Sequence, residues 1–121
     1  MVKITITGFD PKTWDLIFDG DGVQFTRGER EAKRKEVVKW HVNDDSSVFE
    51  ILIYNKPSPP SPSTNIWEEL PHLDALSKNW KGKVSKTAPN TVKWWYSIDW
   101  IDKDSNKHTY DPKIIVNTPL G

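Results

Sequence analysis

The sequence predicts an all-β domain built as a two-sheet Greek-key sandwich, and three observations predict it. Polar and apolar residues alternate with period two over segments of strand length, at 2–7, 14–18, 37–42, 48–54, 92–101 and 108–116. The joints between them are rich in turn formers, such as Asp10-Pro11, Asp19-Gly20-Asp21-Gly22 and Asn43-Asp44-Asp45-Ser46-Ser47. No long segment carries an apolar stripe of helical period. Seven or so short strands with tight turns describe an immunoglobulin-like sandwich. At 121 residues and 14.0 kDa, residues 1–121 form a single domain, large enough to close one core without metal or disulfide staples.

The first strand sets Val2, Ile4 and Ile6 against Lys3, Thr5 and Thr7. The second points Trp14, Leu16 and Phe18 inward, and Val23 and Phe25 resume the alternation after the glycine turn. Segment 29–36 is rich in Ala, Lys, Arg and Glu but has no apolar face, so it reads as a loop or frayed turn. Val38, Trp40 and Val42 then share one face opposite Lys39 and His41, and Phe49, Ile51 and Ile53 share a face of the next strand. Pro57, Pro59, Pro60 and Pro62 make an extended connection, because proline continues neither helix nor sheet. Trp67, Leu70, Leu73 and Leu76 recur at about every third position, which predicts one short helix or irregular segment around 65–80. Gly82 and Pro89 bracket a further short strand or irregular piece. The chain closes on a hairpin whose first strand directs Val92, Trp94, Tyr96, Ile98 and Trp100 to one face and Lys93, Trp95, Ser97 and Asp99 to the other.

Composition excludes several classes of function. Seventeen basic side chains balance seventeen acidic ones, which argues against nucleic-acid binding, since phosphate recognition draws on an excess of Lys and Arg. The six cationic residues from Arg27 to Lys39 are interrupted by Glu29, Glu31 and Glu36 and read as a solvated edge. With no cysteine, disulfides, thiol nucleophiles and thiolate metal sites are ruled out, and the chain suits a reducing cytosol. No apolar stretch has the length of a membrane helix, and the N-terminal segment lacks a signal core. The expectation is a cytoplasmic protein without membrane association, a monomer or weak homodimer, with export compatible if a leader has been removed.

Two segments carry a family resemblance. Val37-Val38-Lys39-Trp40-His41-Val42-Asn43-Asp44 resembles the cupredoxin strand that bears an inward aromatic and leads into an Asn-Asp turn. Trp94-Trp95-Tyr96-Ser97-Ile98 is similar to the aromatic-x-aromatic-x-Cys strand of the copper proteins, and Tyr110-Asp111-Pro112-Lys113-Ile114-Ile115-Val116 looks like the terminal strand of small bacterial cupredoxin-like domains. Together these cover about a third of the chain. The resemblance implies a cupredoxin-like sandwich, and the departures from it imply a copper-free member. Blue copper takes two imidazoles and a thiolate. Here the cysteine position falls on Ile98, the first-histidine position near Val48 or Phe49, and the only methionine is Met1.

Candidate chemistry is sparse. His41, His72 and His108 have no local metal-ligand spacing and read as unrelated surface residues, so no metal and no cofactor is expected. Asp44-Asp45, Glu68-Glu69 and Asp102/Asp104 are neighbours in turns rather than facing carboxylates, and no phosphate loop or serine elbow is present. No catalytic residue is assigned. The seven tryptophans are the remaining signal. Trp14, Trp40, Trp94 and Trp100 lie on apolar faces and belong to the core, whereas Trp67, Trp80 and Trp95 are candidate binding residues. The expectation is a non-catalytic binding or interaction domain with a protein partner. The alternative is a small-ligand or carbohydrate-binding module using exposed tryptophans. A row of exposed tryptophans would favour the alternative, and an apolar patch or a free sheet edge would favour the interaction domain.

Overall fold

Alternation in the sequence becomes alternation in burial. In the computed structural model, which describes residues 2–19, 30–55, 65–75, 77–89, 92–110 and 113–116 (backbone only at 92–93 and 113–116), ten strands form two sheets packed face to face, with no helix among the described residues. The first sheet has the order β2-β1-β4-β7-β6, from β1 (Val2–Phe9), β2 (Leu16–Phe18), β4 (Val37–Val42), β6 (Trp67–Leu73) and β7 (Trp80–Val84). The second has the order β3-β10-β8-β5, from β3 (Arg30–Ala32), β5 (Val48–Asn55), β8 (Val92–Asp102) and β10 (Lys113–Val116), with β9 (Lys107–Tyr110) also on β8. β9 and β10 keep one antiparallel register along β8, as the reading of 108–116 as a single strand anticipates. Two pairings are parallel, β1 with β4 and β3 with β10.

The inward faces are those that the alternation selects. Ile4, Ile6, Val38, Trp40 and Val42 meet Trp94, Tyr96, Ile98 and Trp100 in one continuous core. Its aromatic residues form two groups. At one end Trp67 stands edge-on to Trp94 at 5.0 Å, Trp94 stacks on Tyr96, and the Trp40 indole N–H donates to the Tyr96 hydroxyl at 3.2 Å. At the other end Phe9, Trp14, Trp100 and His108 pack together.

Four sequence expectations are corrected. The 65–80 segment is neither helical nor irregular throughout: β6 and β7 form an antiparallel pair, and Pro71, which would break a helix, sits within β6 at the edge of the sheet. Trp14 does not share the inward face of β2. It precedes that strand with φ of 62° and is 41% exposed. Phe49 leaves the face of Ile51 and Ile53, because the register of β5 against β8 shifts between Val48 and Glu50; the extra residue turns Phe49 to solvent while Val48, Ile51 and Ile53 stay buried. Within 29–36, Arg30–Ala32 is a short strand, completed by its parallel pairing with β10. Val23, Phe25 and the proline-rich connection lie outside the described residues.

Candidate functional site

β5 ends one sheet and β6 ends the other, on the same side of the sandwich. Among the described residues neither outer edge is paired. Along this seam lie four of the large apolar side chains that the fold leaves in solvent: Phe49 and Leu52 on β5, exposed by 57% and 49%, and Leu70 and Leu73 on β6, exposed by 65% and 52%. Scattered exposed leucines need no explanation, but four along two facing edges form a patch of the kind that marks interaction surfaces.

The seam is concave. One hollow of about 440 Å³ lies between Ile53, Tyr54 and Asn55 of β5 and Leu70 and Pro71 of β6, with Trp94 in its wall. A second, of about 280 Å³, is walled by Phe49, Leu52, Leu73, Lys78 and Trp80. A third, of about 190 Å³, lies on the opposite side of β5, against Leu52, Asp99, Ile101 and Lys107.

The two edges differ. The β6 register is interrupted twice, between Trp67 and Glu69 and between Glu69 and His72, and Pro71 lacks a backbone donor; both features discourage strand pairing. β5 holds an unbroken register from Glu50 to Asn55. At its start the Lys78 ammonium donates to the Val48 carbonyl at 3.1 Å. Of the charged groups here, Lys81 pairs with Asp74 and Lys83 with Glu68. Glu50 and Glu69 have no ion-pair partner among the described residues.

Beside the third hollow, Asp99 is held on the face of β8 turned from the core. Its Oδ1 accepts from the Tyr54 and Thr109 hydroxyls at 2.8 Å each, and its Oδ2 meets Lys107 Nζ at 3.1 Å. Burial pushes this carboxyl up, but the bonds from Thr109, Tyr54 and Lys107 outweigh it and hold the group below the usual carboxylate range. The same bond raises the Tyr54 phenol, whose proton Asp99 retains. With both carboxylate oxygens engaged, this network stiffens the wall of the third hollow.

Asp102, buried at the end of β8, joins the second aromatic cluster through His108. Its Oδ1 accepts the backbone N–H of Asp104 at 2.8 Å and of Asn106 at 3.1 Å, fixing the β8–β9 turn, in which Ser105 takes the left-handed conformation. Its Oδ2 accepts from His108 Nε2 at 2.9 Å, since an ionised carboxylate has no proton to give. Trp14 stacks on the same imidazole at 4.2 Å and 11°. His108 is therefore an anchored residue rather than an unrelated surface histidine, and contact with it and Phe9 offsets the backbone strain at Trp14, of order 1–3 kcal/mol. The His108 hydrogen bond is the largest cause of a lowered Asp102 pKa; burial opposes it, and the Asn106 and Asp104 amides add to the lowering. A carboxyl depressed in the folded state stabilises above its unfolded value, and that contribution is lost as pH falls through the folded one. The melting-temperature gap between the wild type and Asp102→Asn is thus expected to be widest near neutrality and to close below about pH 4; equal gaps at pH 7 and pH 3 would refute it.

Of the three tryptophans singled out from the sequence, the structure brings one to the seam. Trp80 is half-buried and walls the second hollow. Trp67 is 7% exposed, with its ring among Trp40 and Trp94 in the core. Trp95 is half-buried on β8, opposite Lys113, away from the seam, and its neighbours Ser97 and Asp99 are buried as well. Among the described residues no three histidine or carboxylate side chains converge as metal ligands. Sequence reading missed Phe49, Leu52, Leu70 and Leu73. The one signal available was Pro71 between two leucines, which points to an edge strand. Set against models of known protein families and against the sequences of curated proteins, the chain matches none.

Proposed function

We propose that this chain is a non-catalytic interaction domain that receives a protein partner along the β5–β6 seam. The observation that carries the proposal is that four of the six large apolar side chains exposed among the described residues, Phe49, Leu52, Leu70 and Leu73, lie on the two terminal strands around two hollows. Truncated apolar anchors at such a surface cost binding while leaving the core intact. A sugar-stacking reading has less support, because Trp14 is the one exposed tryptophan among the described residues, and its ring is already stacked on Phe9 and His108. The scaffold belongs to the same proposal: a copper-free cupredoxin-like sandwich in which Ile98, at the resemblance's cysteine position, is a fully buried core residue.

A photocrosslinking amino acid placed at Phe49 in cells is expected to capture a defined polypeptide that the same group at Ile17, exposed on β2 at the opposite end of the first sheet from β6, does not capture. The purified polypeptide should bind the wild type and lose at least about tenfold, on the order of 1.4 kcal/mol, against Phe49→Ser/Leu73→Ser. The melting temperature of that variant should stay nearly unchanged, since both side chains are exposed. Equal capture from both positions, or undiminished binding by the variant, would refute the proposal.

A further inference from the structure

We infer that the partner binds by strand addition: an extended segment pairs its backbone with the free edge of β5 over 49–55, carries apolar residues at alternate positions, and presents a lysine or arginine to Glu50. This rests on the reading of the seam as the binding surface and specifies its mode and ligand chemistry.

Only one of the two edges is fit for it. β6 is blocked by its two register breaks and Pro71, whereas β5 is regular from Glu50 to Asn55 and presents, among the described residues, the unpaired amides and carbonyls of a terminal strand. The Lys78 ammonium occupies the Val48 carbonyl and so marks where the receptive stretch begins. Strand addition takes affinity from backbone hydrogen bonds and selectivity from hollows that accept alternate side chains, and the three hollows are disposed that way. Those at 49–52 and 53–55 lie on the seam side of β5, three to four residues apart, which is about 10–14 Å of antiparallel strand. Residues i and i+4 of an added strand reach them. The third hollow, on the other side of β5 at Leu52, suits an intervening residue, whose side chain points the opposite way.

Charge selects the rest of the segment. Glu50 lies on the rim between the hollows on either side of β5, and Glu69 is exposed on the opposite wall; neither has an ion-pair partner among the described residues. Lys81 and Lys83 are matched by Asp74 and Glu68, and Lys78, bound to the neutral Val48 carbonyl, sets one positive charge against the two negative charges of Glu50 and Glu69. An approaching anion therefore finds unspent negative charge, and a cation finds a complement.

The probe is a set of acetylated ten-residue peptides of alternating valine and threonine, with one lysine or one glutamate moved through each position. Binding to the intact chain is read by fluorescence anisotropy and by protection of β5 amides from hydrogen exchange. Lysine peptides are expected to bind in at least one register, to protect amides within 49–55, and to weaken at least tenfold when alternate backbone nitrogens are methylated. Glu50→Lys, a change at an exposed position, should exchange the preference, weakening lysine peptides and admitting glutamate ones. Binding that ignores N-methylation but is lost in Phe49→Ser/Leu73→Ser overturns strand addition and leaves the seam as the binding surface. Binding that ignores both overturns the two readings together. Silence of every peptide, or self-association of the chain through β5 in their place, overturns the peptide proposal, and the crosslinking at Phe49 then judges the seam independently.

Discussion

Trp100→Ala is expected to lower the unfolding free energy by about 3–5 kcal/mol, the range for emptying a large aromatic site in a closed core. Trp100 is fully buried in β8, opposite Ile51 of β5 and His108 of β9, and its ring touches Phe9, Trp14 and His108. The substitution therefore leaves a void and also removes the support on which the strained Trp14 rests. Against a total of roughly 5–15 kcal/mol for a small domain, that is a large share of the stability. Trp100→Phe should lose far less, because it keeps much of the ring and removes an indole N–H that has no acceptor in the core. Denaturant titration of the three proteins is the measurement. An alanine variant within about 1 kcal/mol of the wild type would mean that the surrounding strands close over the gap.

Gly82→Val is the second large effect, by overfilling rather than emptying. Gly82 is buried in β7, and a Cβ there would stand 3.0 Å from Cζ3 of Trp67 and 3.1 Å from the Glu69 carbonyl oxygen. Neither neighbour yields easily: Trp67 is wedged among Trp40 and Trp94, and Glu69 belongs to the backbone of β6. Valine is expected to cost about 2–3 kcal/mol and alanine about 1 kcal/mol, spanning the range for overpacked cores. The displaced element is the wall of the seam, so the valine variant should show faster hydrogen exchange across 67–73 than across 37–42 and, under the proposed function, weaker binding of the polypeptide captured at Phe49. Unchanged exchange in β6 would show that the tryptophan moves and the strand does not.

Much of the sandwich was legible in the sequence because burial on one face writes itself as period two. β4 falls at 37–42 as read, and Trp94, Tyr96, Ile98 and Trp100 all point inward. The misreadings have local causes. Leu70, Leu73 and Leu76 imitate a helical repeat at a spacing of three, and Pro71 was the residue that decides against it. One inserted residue at Phe49 reverses a side chain without altering the alternation around it. β3 is three residues long, two of them charged, and its pairing with β10 is invisible to any local pattern. The seam was illegible for a deeper reason: which strands end a sheet is a property of topology, and Leu52 or Leu73 looks like any core residue until its strand is known to lack a neighbour. Tryptophan count drew the eye to rings whose large area mostly keeps them inside, as Trp67 shows.

The parallel pairing of β3 with β10 also bears on the order in which the molecule is made. Arg30–Ala32 waits for Ile114–Val116, and β8, the strand that joins β5, β9 and β10, is synthesised after all five strands of the first sheet. A ribosome-bound chain stopped before β8 thus holds Ile4, Trp40 and Val42 without the facing layer that covers them. Loops this long are closed late and slowly. The nascent domain accordingly has its greatest exposure to proteases and chaperones just before its last strands emerge, and truncation upstream of residue 114 leaves β3 without its partner.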